Sequence, residues 1–178
     1  MNANVEATDM ALLEQVEAQQ ALHQLNAKFS RALDRMDRAL LVSLLSDDAQ
    51  IDCGAHKGPA AAFVTAVTSA DPALERSFHS ISNEYFQVDG DQAVGEVYVI
   101  NISTIVEAGQ KLDRLIGGRY LDRYQRTHGQ WQVTQRVFVH DWNMTRPSTA
   151  VWDEGLFGQF KLRGTRDTRD PVYELLGA

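Results

Sequence analysis

The N-terminal part of the chain carries a helical pattern of apolar positions. Apolar residues recur at intervals of three or four, and this spacing predicts one buried stripe along a helix; they are Leu22, Leu25, Phe29, Leu33, Met36, Leu40 and Leu44. A helix capped by Thr8 is expected to run to about Arg31, and a second helix or a bent continuation to carry residues 34–45. Asp34 lies beside the stripe, where a carboxylate needs a partner because burial disfavours its charged form.

The pattern changes after residue 45. Gly and Pro interrupt the helical period, so residues 50–53 are predicted as a short strand, and an Ala-rich helix is predicted from Pro59, as its first residue, to about Ser69. Four later stretches are rich in branched and aromatic residues and are separated by hairpin-like turns; they are SFHSISNEYFQV, QAVGEVYVINISTIVE, RLIGGRYLDRYQRT and WQVTQRVFVHDWNM. They predict an antiparallel meander, and the order of elements predicts an α+β fold with helices on one face of a curved sheet.

Residues 1–147 are predicted to form one domain, followed by an extension over residues 148–178. The extension mixes aromatic residues with many charges, so it cannot form a core of its own; its large apolar residues are Trp152, Leu156, Phe157, Phe160 and Tyr173. We expect it to pack on its own domain or on a neighbouring subunit.

Alternation along each predicted strand sorts side chains onto two faces, although it does not say which face is enclosed. The sets that combine polar and apolar residues on one face are His79, Ile81, Asn83 and Tyr85; Val97, Val99 and Asn101; Ile116, Gly118, Tyr120 and Asp122; and Thr134, Arg136, Phe138 and His140.

Charge and composition narrow the function classes. Seventeen Lys and Arg residues stand against 24 Asp and Glu residues, for a net charge of −7 without a basic cluster, so neither nucleic acid nor an anionic membrane is expected as a partner. No basic N-terminus precedes an apolar run, and no apolar run is long enough to span a bilayer, which predicts a soluble, cytoplasmic protein. A single cysteine, Cys53, and scattered histidines predict neither a disulfide nor a metal site.

Taken singly, the polar residues have ordinary structural interpretations. Asp34 and its charged neighbours fit a solvated salt-bridge face, His79 fits a hydrogen-bonded core histidine, and Arg136 fits an ion pair on the outer face of the sheet. The residues alone leave these alternatives open.

Four segments, taken in order, resemble a known family: RALDRMD…LLSDDAQIDCGAHKGP, FHSISN…VDGDQAVGEVY, IGGRYLDRYQRTHGQWQVTQR and RDPVYELL. They are similar to the SnoaL-like branch of the nuclear transport factor 2-like superfamily, in particular to the group of hexachlorocyclohexane dehydrochlorinase, scytalone dehydratase and bile-acid 7α-dehydratase. The similarity spans roughly residues 10–145. It implies an α+β cone around a deep pocket, a homotrimer, and lyase or isomerase chemistry without a cofactor.

Position by position, the resemblance places the family's helix Asp on Asp34, its strand His on His79 and its last-strand Arg on Arg136. His79 would be the general base, Asp34 would orient it and stabilise the imidazolium, and Arg136 would stabilise a developing anion. The residues expected to bind substrate or to form the cavity wall are Tyr120, Asn101, His140, Phe29, Ile51, Val97, Val99, Ile116 and Phe138.

The chain also departs from the family pattern. Phe29 stands where several family dehydratases carry Tyr, and Ile51 or Cys53 stands where another aromatic residue is expected, so a familiar acid is missing. The expected function is elimination from a small hydrophobic substrate, aromatic or polycyclic. The group lost would be water or another leaving group, or formaldehyde from a hydroxymethyl-bearing aromatic such as a lignin-derived diarylpropane. The alternatives are isomerase or cyclase chemistry of the ketosteroid or polyketide type, and a non-catalytic module that binds small molecules.

Overall fold

The structure, a computed structural model, describes the backbone of residues 3–176 and the side chains from Met10 onward. The helices are α1 (Ala3–Arg35), α2 (Arg38–Ser43), α3 (Ala60–Val67) and α4 (Pro171–Leu176). The strands are β1 (Leu45–Asp52), β2 (Lys57–Pro59), β3 (Leu74–Asp89), β4 (Gln92–Glu107), β5 (Gln110–Thr127) and β6 (Gln130–Pro147). No helix in this range combines the length and the apolar character needed to cross a bilayer.

The N-terminal region forms two helices, as predicted, with α2 as a shorter second helix and α1 as a longer first one. Helix α1 begins at Ala3, before the proposed cap at Thr8, and runs past Arg31 to Arg35. The break comes at Met36, whose φ of 52° no helix can continue. Asp37 then caps α2 by accepting a hydrogen bond from the Leu40 amide at 3.0 Å. Asp34 therefore belongs to the last turn of α1 and not to a second helix.

The sheet has six strands in the order β2-β1-β6-β5-β4-β3, and the predicted antiparallel meander of β3 to β6 is confirmed. The sheet as a whole is mixed, since β1 pairs parallel to β6. β2 was not predicted, β1 starts five residues earlier than expected, at Leu45, and Pro59 is the N-cap of α3 rather than its first residue.

The core lies between the helices and the inner face of the sheet. The apolar stripe of α1 supplies Leu22, Leu25 and Phe29, each no more than 3 % exposed, and the strands supply Val97 and Val133, each 0 % exposed. Burial of such side chains stabilises the fold by about 1.5–3 kcal/mol each. The α+β cone predicted from the sequence is confirmed by this arrangement.

Two irregularities in the strands correct the alternation expected from the sequence. Asn83 has a φ of 46°, and the register shifts between Ser82 and Glu84, so an extra residue is inserted into β3. Past this bulge Tyr85 is 61 % exposed on the outer face, and Phe86 is buried inside. A second shift, between Arg123 and Tyr124 of β5, places β6 residue Val133 inside, so Thr134 does not share the face of Arg136.

The segment after residue 147 contacts its own chain. The Tyr173 hydroxyl donates to Asp37 Oδ2 at 2.9 Å, and the Arg31 guanidinium stacks over the Tyr173 ring. Arg76 of β3 stacks over Trp152 at 4.3 Å. Phe157, Phe160 and Leu162 stay more than half exposed.

Candidate active site

A carboxylate and an imidazole form the first polar centre of the cavity. Asp34 Oδ1 lies 2.7 Å from His79 Nδ1, and its Oδ2 accepts the His79 backbone amide at 2.9 Å. Ser77, two residues earlier on the same face of β3, donates its hydroxyl to Asp34 Oδ1 at 3.1 Å. Asp34 is 6 % exposed, so these three donors replace the water that a carboxylate needs.

The contact fixes which nitrogen of His79 is available. An ionised Asp34 accepts only from a protonated Nδ1, so the neutral ring carries its lone pair on Nε2. Asn101, opposite His79 on β4, has its Nδ2 3.2 Å from Nε2 and 3.5 Å from Nδ1. An atom on the axis of the Nε2 lone pair would be much farther from Nδ1 than from Nε2. The Asn101 amide nitrogen is almost equally far from both, so it lies beside the ring and does not occupy the lone pair. The lone pair remains open for a proton.

The charge state of Asp34 follows from opposing effects. Burial raises its pKa, but the hydrogen bonds and charge of His79, with the Ser77 hydroxyl, outweigh burial and leave the pKa below its ordinary value. Asp34 is therefore ionised at neutral pH. An ionised carboxylate next to the ring favours protonation of His79 when it removes a proton from a substrate.

Arg136 forms the second polar centre and is held from three sides. Its Nε and Nη2 donate to the two oxygens of Asp122 at 2.9 and 2.6 Å, and Nη2 also donates to Asn26 Oδ1 at 2.5 Å. The guanidinium lies 4.0 Å from the ring centre of Phe29 and 4.1 Å from that of Tyr120. Arg136 is thus clamped in its plane by hydrogen bonds and on both faces by aromatic rings.

The remaining nitrogen of this guanidinium has no acceptor in the described part of the chain. Arg136 is 2 % exposed, and Nη1 is buried without a hydrogen-bond partner among the described residues. Burial opposes the positive charge, but Asp122 outweighs it and keeps the pKa of Arg136 above its ordinary value. An unpaired buried donor is costly, and it is satisfied when a substrate oxygen or halogen accepts from it.

A second layer of buried polar groups supports the pair of Arg136 and Asp122. The Tyr124 hydroxyl donates to Asp122 Oδ2 at 2.5 Å, and Asn26 Nδ2 donates to that hydroxyl at 3.1 Å. Every member of this cluster is no more than 3 % exposed. Sequence reasoning placed Asp122 on the correct face but assigned no role to it, and it missed Asn26. The available signal was a polar residue within the apolar stripe of α1, one position after Leu25.

The two centres open into one cavity of about 500 Å³. Its walls are mostly apolar and aromatic, a composition suited to a ring-bearing ligand. The predicted residues that line it are Phe29, Ile51, His79, Val99, Asn101, Ile116, Tyr120, Arg136 and Phe138, and Asp34 lies directly behind His79.

Two predicted binding residues lie elsewhere. Val97 is fully buried in the core and is not part of the cavity wall. His140 pairs with Gly118, two residues beyond the pair of Phe138 and Tyr120, is exposed, and has its Nε2 3.1 Å from Asn143 Nδ2. It does not reach the cavity. Lining residues that the sequence did not suggest include Phe63, Ser77 and Arg166.

Two further groups on the wall have shifted pKa values. Burial raises the pKa of Tyr120 to about 12, with Arg136 partly opposing the shift, so its phenol is protonated at neutral pH. Burial likewise raises the pKa of the Cys53 thiol. Within residues 3–176 no group of three or more His, Cys, Asp or Glu side chains is arranged to bind a metal ion.

Comparison with known proteins gives a consistent family match. The sequence model of the SnoaL-like domain matches residues 14–137. A candidate scytalone dehydratase from Novosphingobium aromaticivorans aligns with a TM-score of 0.66 at 19 % identity, covering 80 % of this chain and 94 % of its own. Hexachlorocyclohexane dehydrochlorinase LinA-type3 from Novosphingobium barchaimii aligns with a TM-score of 0.64 at 23 % identity, covering 78 % of this chain and 95 % of its own.

The protein Kfla4162 from Kribbella flavida aligns with a TM-score of 0.63 at 16 % identity, covering 71 % of this chain and 92 % of its own. At these identities the likeness establishes a shared fold. No curated protein matches the chain at a significant level.

Proposed function

This chain belongs to the SnoaL-like domain family, and from its cavity we propose that it is a cofactor-independent lyase for a small hydrophobic substrate with an aromatic or polycyclic ring system. The observation that carries the proposal is the contact of 2.7 Å between Asp34 and His79 at a cavity that also contains the free Nη1 of Arg136. A base and an anion-stabilising donor facing one apolar cavity are the minimum equipment for elimination.

The reaction begins with proton removal by His79. Nε2 takes a proton from a carbon or hydroxyl of the substrate, and the imidazolium formed is stabilised by the ionised Asp34. The electron pair left behind forms a double bond, and the bond to the leaving group breaks with its electrons on that group. Positioned proton transfer of this kind accelerates a reaction by about 10²–10⁴-fold.

Arg136 and Tyr120 assist departure of the leaving group. Arg136 Nη1 donates to the developing anion, and its fixed plane lets it do so without reorganisation. The Tyr120 phenol, protonated at neutral pH, is the available proton donor for a departing oxygen. A chloride needs no proton. In retro-aldol loss of formaldehyde, the proton that His79 takes from the hydroxymethyl oxygen is returned to the carbon that keeps the electrons of the broken C–C bond, so both reactions suit a site that has Phe29 in place of a second phenol.

The isomerase alternative needs a carboxylate base on a strand. Two strand carboxylates face inward: Asp122 is occupied by Arg136 and Tyr124, Glu84 is paired with His23, and neither lies in the cavity wall. This observation favours a histidine base and elimination chemistry.

The test is product formation by dialysed protein without added cofactor or metal. The panel contains a polychlorinated cyclohexane, a hydroxylated bicyclic ketone and a diaryl propanediol, with chloride, loss of water and formaldehyde as the respective readouts. We expect one class to turn over in the wild type and to lose turnover in His79→Gln. A panel with no turnover, but with tight binding that is unaffected by His79→Gln, would favour the non-catalytic binding module.

We also propose that the protein assembles as a homotrimer, as the family resemblance implies. The outer face of the sheet carries a contiguous apolar patch in which Ile102 pairs with Leu115 and Leu115 with Met144, one step from Trp142. Ile102, Met144 and Trp142 are 40–48 % exposed. Contiguous exposed apolar residues on neighbouring strands are typical of a protein interface, here one between copies of this chain.

Light scattering at micromolar concentration tests the assembly. We expect a trimer for the wild type and a smaller species for Ile102→Glu. The control is Val42→Glu on α2, which adds the same charge at an isolated exposed apolar residue and should leave the trimer intact. A monomeric wild type would contradict the proposal.

A further inference from the structure

The segment after the last strand places an arginine in the wall of the cavity. Arg166 lines the same cavity as His79 and Arg136, although it lies beyond the matched domain. Its Nη1 donates to the Leu74 carbonyl at 2.9 Å, and its Nε is buried without a hydrogen-bond partner among the described residues. No carboxylate in the described part of the chain lies within 4.0 Å of the guanidinium.

The loop that carries Arg166 is held in a defined conformation. Asp170, 5 % exposed, accepts the Thr165 amide at 2.9 Å and the Val172 amide at 3.1 Å. Arg76 of β3 donates to the Gly164 carbonyl at 3.0 Å. The residues on both sides of Arg166 are therefore fixed to the domain, so its position at the cavity does not depend on its own contacts.

Arg166 also marks the point at which the cavity opens. A larger groove of about 1210 Å³ runs between the C-terminal segment and the first residues of β3. Asp71, Leu74, Ser77 and Arg166 line both this groove and the inner cavity. The inner wall is apolar, so a ligand that enters ring first leaves its polar end next to Arg166.

The two arginines of the cavity differ in how their charge is balanced. Arg136 forms a bidentate pair with Asp122, so that pair is neutral as a unit. Asp34 accepts its hydrogen bonds from His79 and Ser77, and Asp71 accepts from the Ala73 amide, so the charges of both carboxylates attract the Arg166 guanidinium only from beyond contact distance. Arg166 is left with a carbonyl as its sole described acceptor and with an unused Nε. A guanidinium in this state is suited to an incoming carboxylate.

We propose that Arg166 selects substrates that carry a carboxylate at the end opposite the reacting ring carbon, so that the substrate class is aromatic acids. The inference rests on the proposed function in taking the bound acid to be a substrate, but binding of the carboxylate by Arg166 does not require turnover. Arg166 binds the carboxylate at the mouth of the cavity and leaves Arg136 for the leaving group.

The test is calorimetric binding of biphenyl-4-carboxylate and biphenyl-4-carboxamide, which share a shape and differ in charge. We expect the wild type to bind the carboxylate about tenfold more tightly than the amide, the scale of one charge-assisted contact. Arg166→Gln should abolish this preference, and Arg166→Lys should keep part of it. Arg169→Gln, which removes an exposed charge from the same segment, should leave the preference unchanged.

Equal binding of the two compounds by the wild type, or binding of neither, would overturn the proposal. A preference that survives Arg166→Gln would assign the anion to Arg136 instead. If Arg166→Gln fails to fold, the wild-type preference and the Arg166→Lys variant still decide the matter. Carboxylate selection by a protein that turns over neither the panel compounds nor their carboxylate-bearing derivatives would contradict the lyase function but leave this inference standing.

Discussion

Replacing Asp122 by Asn tests how the fold holds Arg136 in place. The carboxylate is 0 % exposed at its side chain and accepts three hydrogen bonds, two from Arg136 and one from Tyr124. Asparagine has nearly the same shape but carries no charge, and it can offer only one acceptor oxygen. The substitution therefore leaves Arg136 buried with an uncompensated charge.

The expected cost is large for one substitution. Removing one partner of a buried ion pair costs about 3–5 kcal/mol. For a chain of this size each kcal/mol lowers Tm by about 2–4 °C, so Asp122→Asn should lower Tm by about 6–20 °C. Urea unfolding followed by circular dichroism gives the free energy, and a thermal scan gives Tm.

The outer face of the same sheet offers a matched control. Asp141 accepts a bidentate contact from Arg119 at 2.8 and 3.1 Å, but both side chains are substantially exposed. Solvent screens such a pair, so Asp141→Asn should change stability little. Equal losses in Asp122→Asn and Asp141→Asn would refute the argument that burial of the pair determines its contribution.

Two further predictions concern the dyad and the bulge. The pKa of Asp34 is lower in the folded state, so its contribution to stability is present above the ordinary pKa of about 3.9 and is lost as pH falls through the folded value. The unfolding free energy, measured from pH 7 downward, should therefore fall less steeply below about pH 4 in Asp34→Asn than in the wild type. Parallel curves for the two proteins would contradict this sign. Asn83→Val should lower the unfolding free energy by about 1–2 kcal/mol, because a branched residue resists a positive φ. Asn83→Gly, the control, should not lower it. Similar losses for the two variants in urea unfolding would show that the bulge is not under this constraint.

The sequence predicted the meander well because each strand combines branched residues with a clear turn. It could not predict the side-chain faces throughout, since a single αL residue such as Asn83 reverses the alternation that follows it. Asparagine tolerates αL better than most residues, so Asn83 itself was the available cue. β1 was harder to delimit because its pairing with β6 joins residues distant in sequence, and β2 because it pairs with β1 over only three residues.

The site was partly predictable for a similar reason. Asp34, His79 and Arg136 lie in segments with a family resemblance, and the structure brings all three to one cavity or directly behind it. Arg166 lies in a charged segment without periodicity, so nothing local indicated that its side chain reaches the cavity. His140 shows the reverse error, because alternation predicts the face of a side chain but not where along β6 the cavity wall ends, which is at Phe138.

In the proposed mechanism His79 and Asp34 act as one unit in proton transfer. In the dyad, Asp34→Asn removes the charge that stabilises the imidazolium, and His79→Ala removes the base itself. The double variant should then be little worse than His79→Ala alone, because the effects of residues that act together are not additive. Phe29→Tyr restores a phenol found in several family dehydratases. The native reaction should proceed without that phenol.

The most direct test is the kcat of His79→Ala, measured on the substrate class that the panel identifies, with folding verified by circular dichroism. We expect kcat to fall by about 10²–10⁴-fold, the usual contribution of a positioned general base. A folded His79→Ala protein that keeps kcat within about threefold of the wild type would contradict the assignment of His79 as the base, since that loss is far below the contribution of a proton-transfer group.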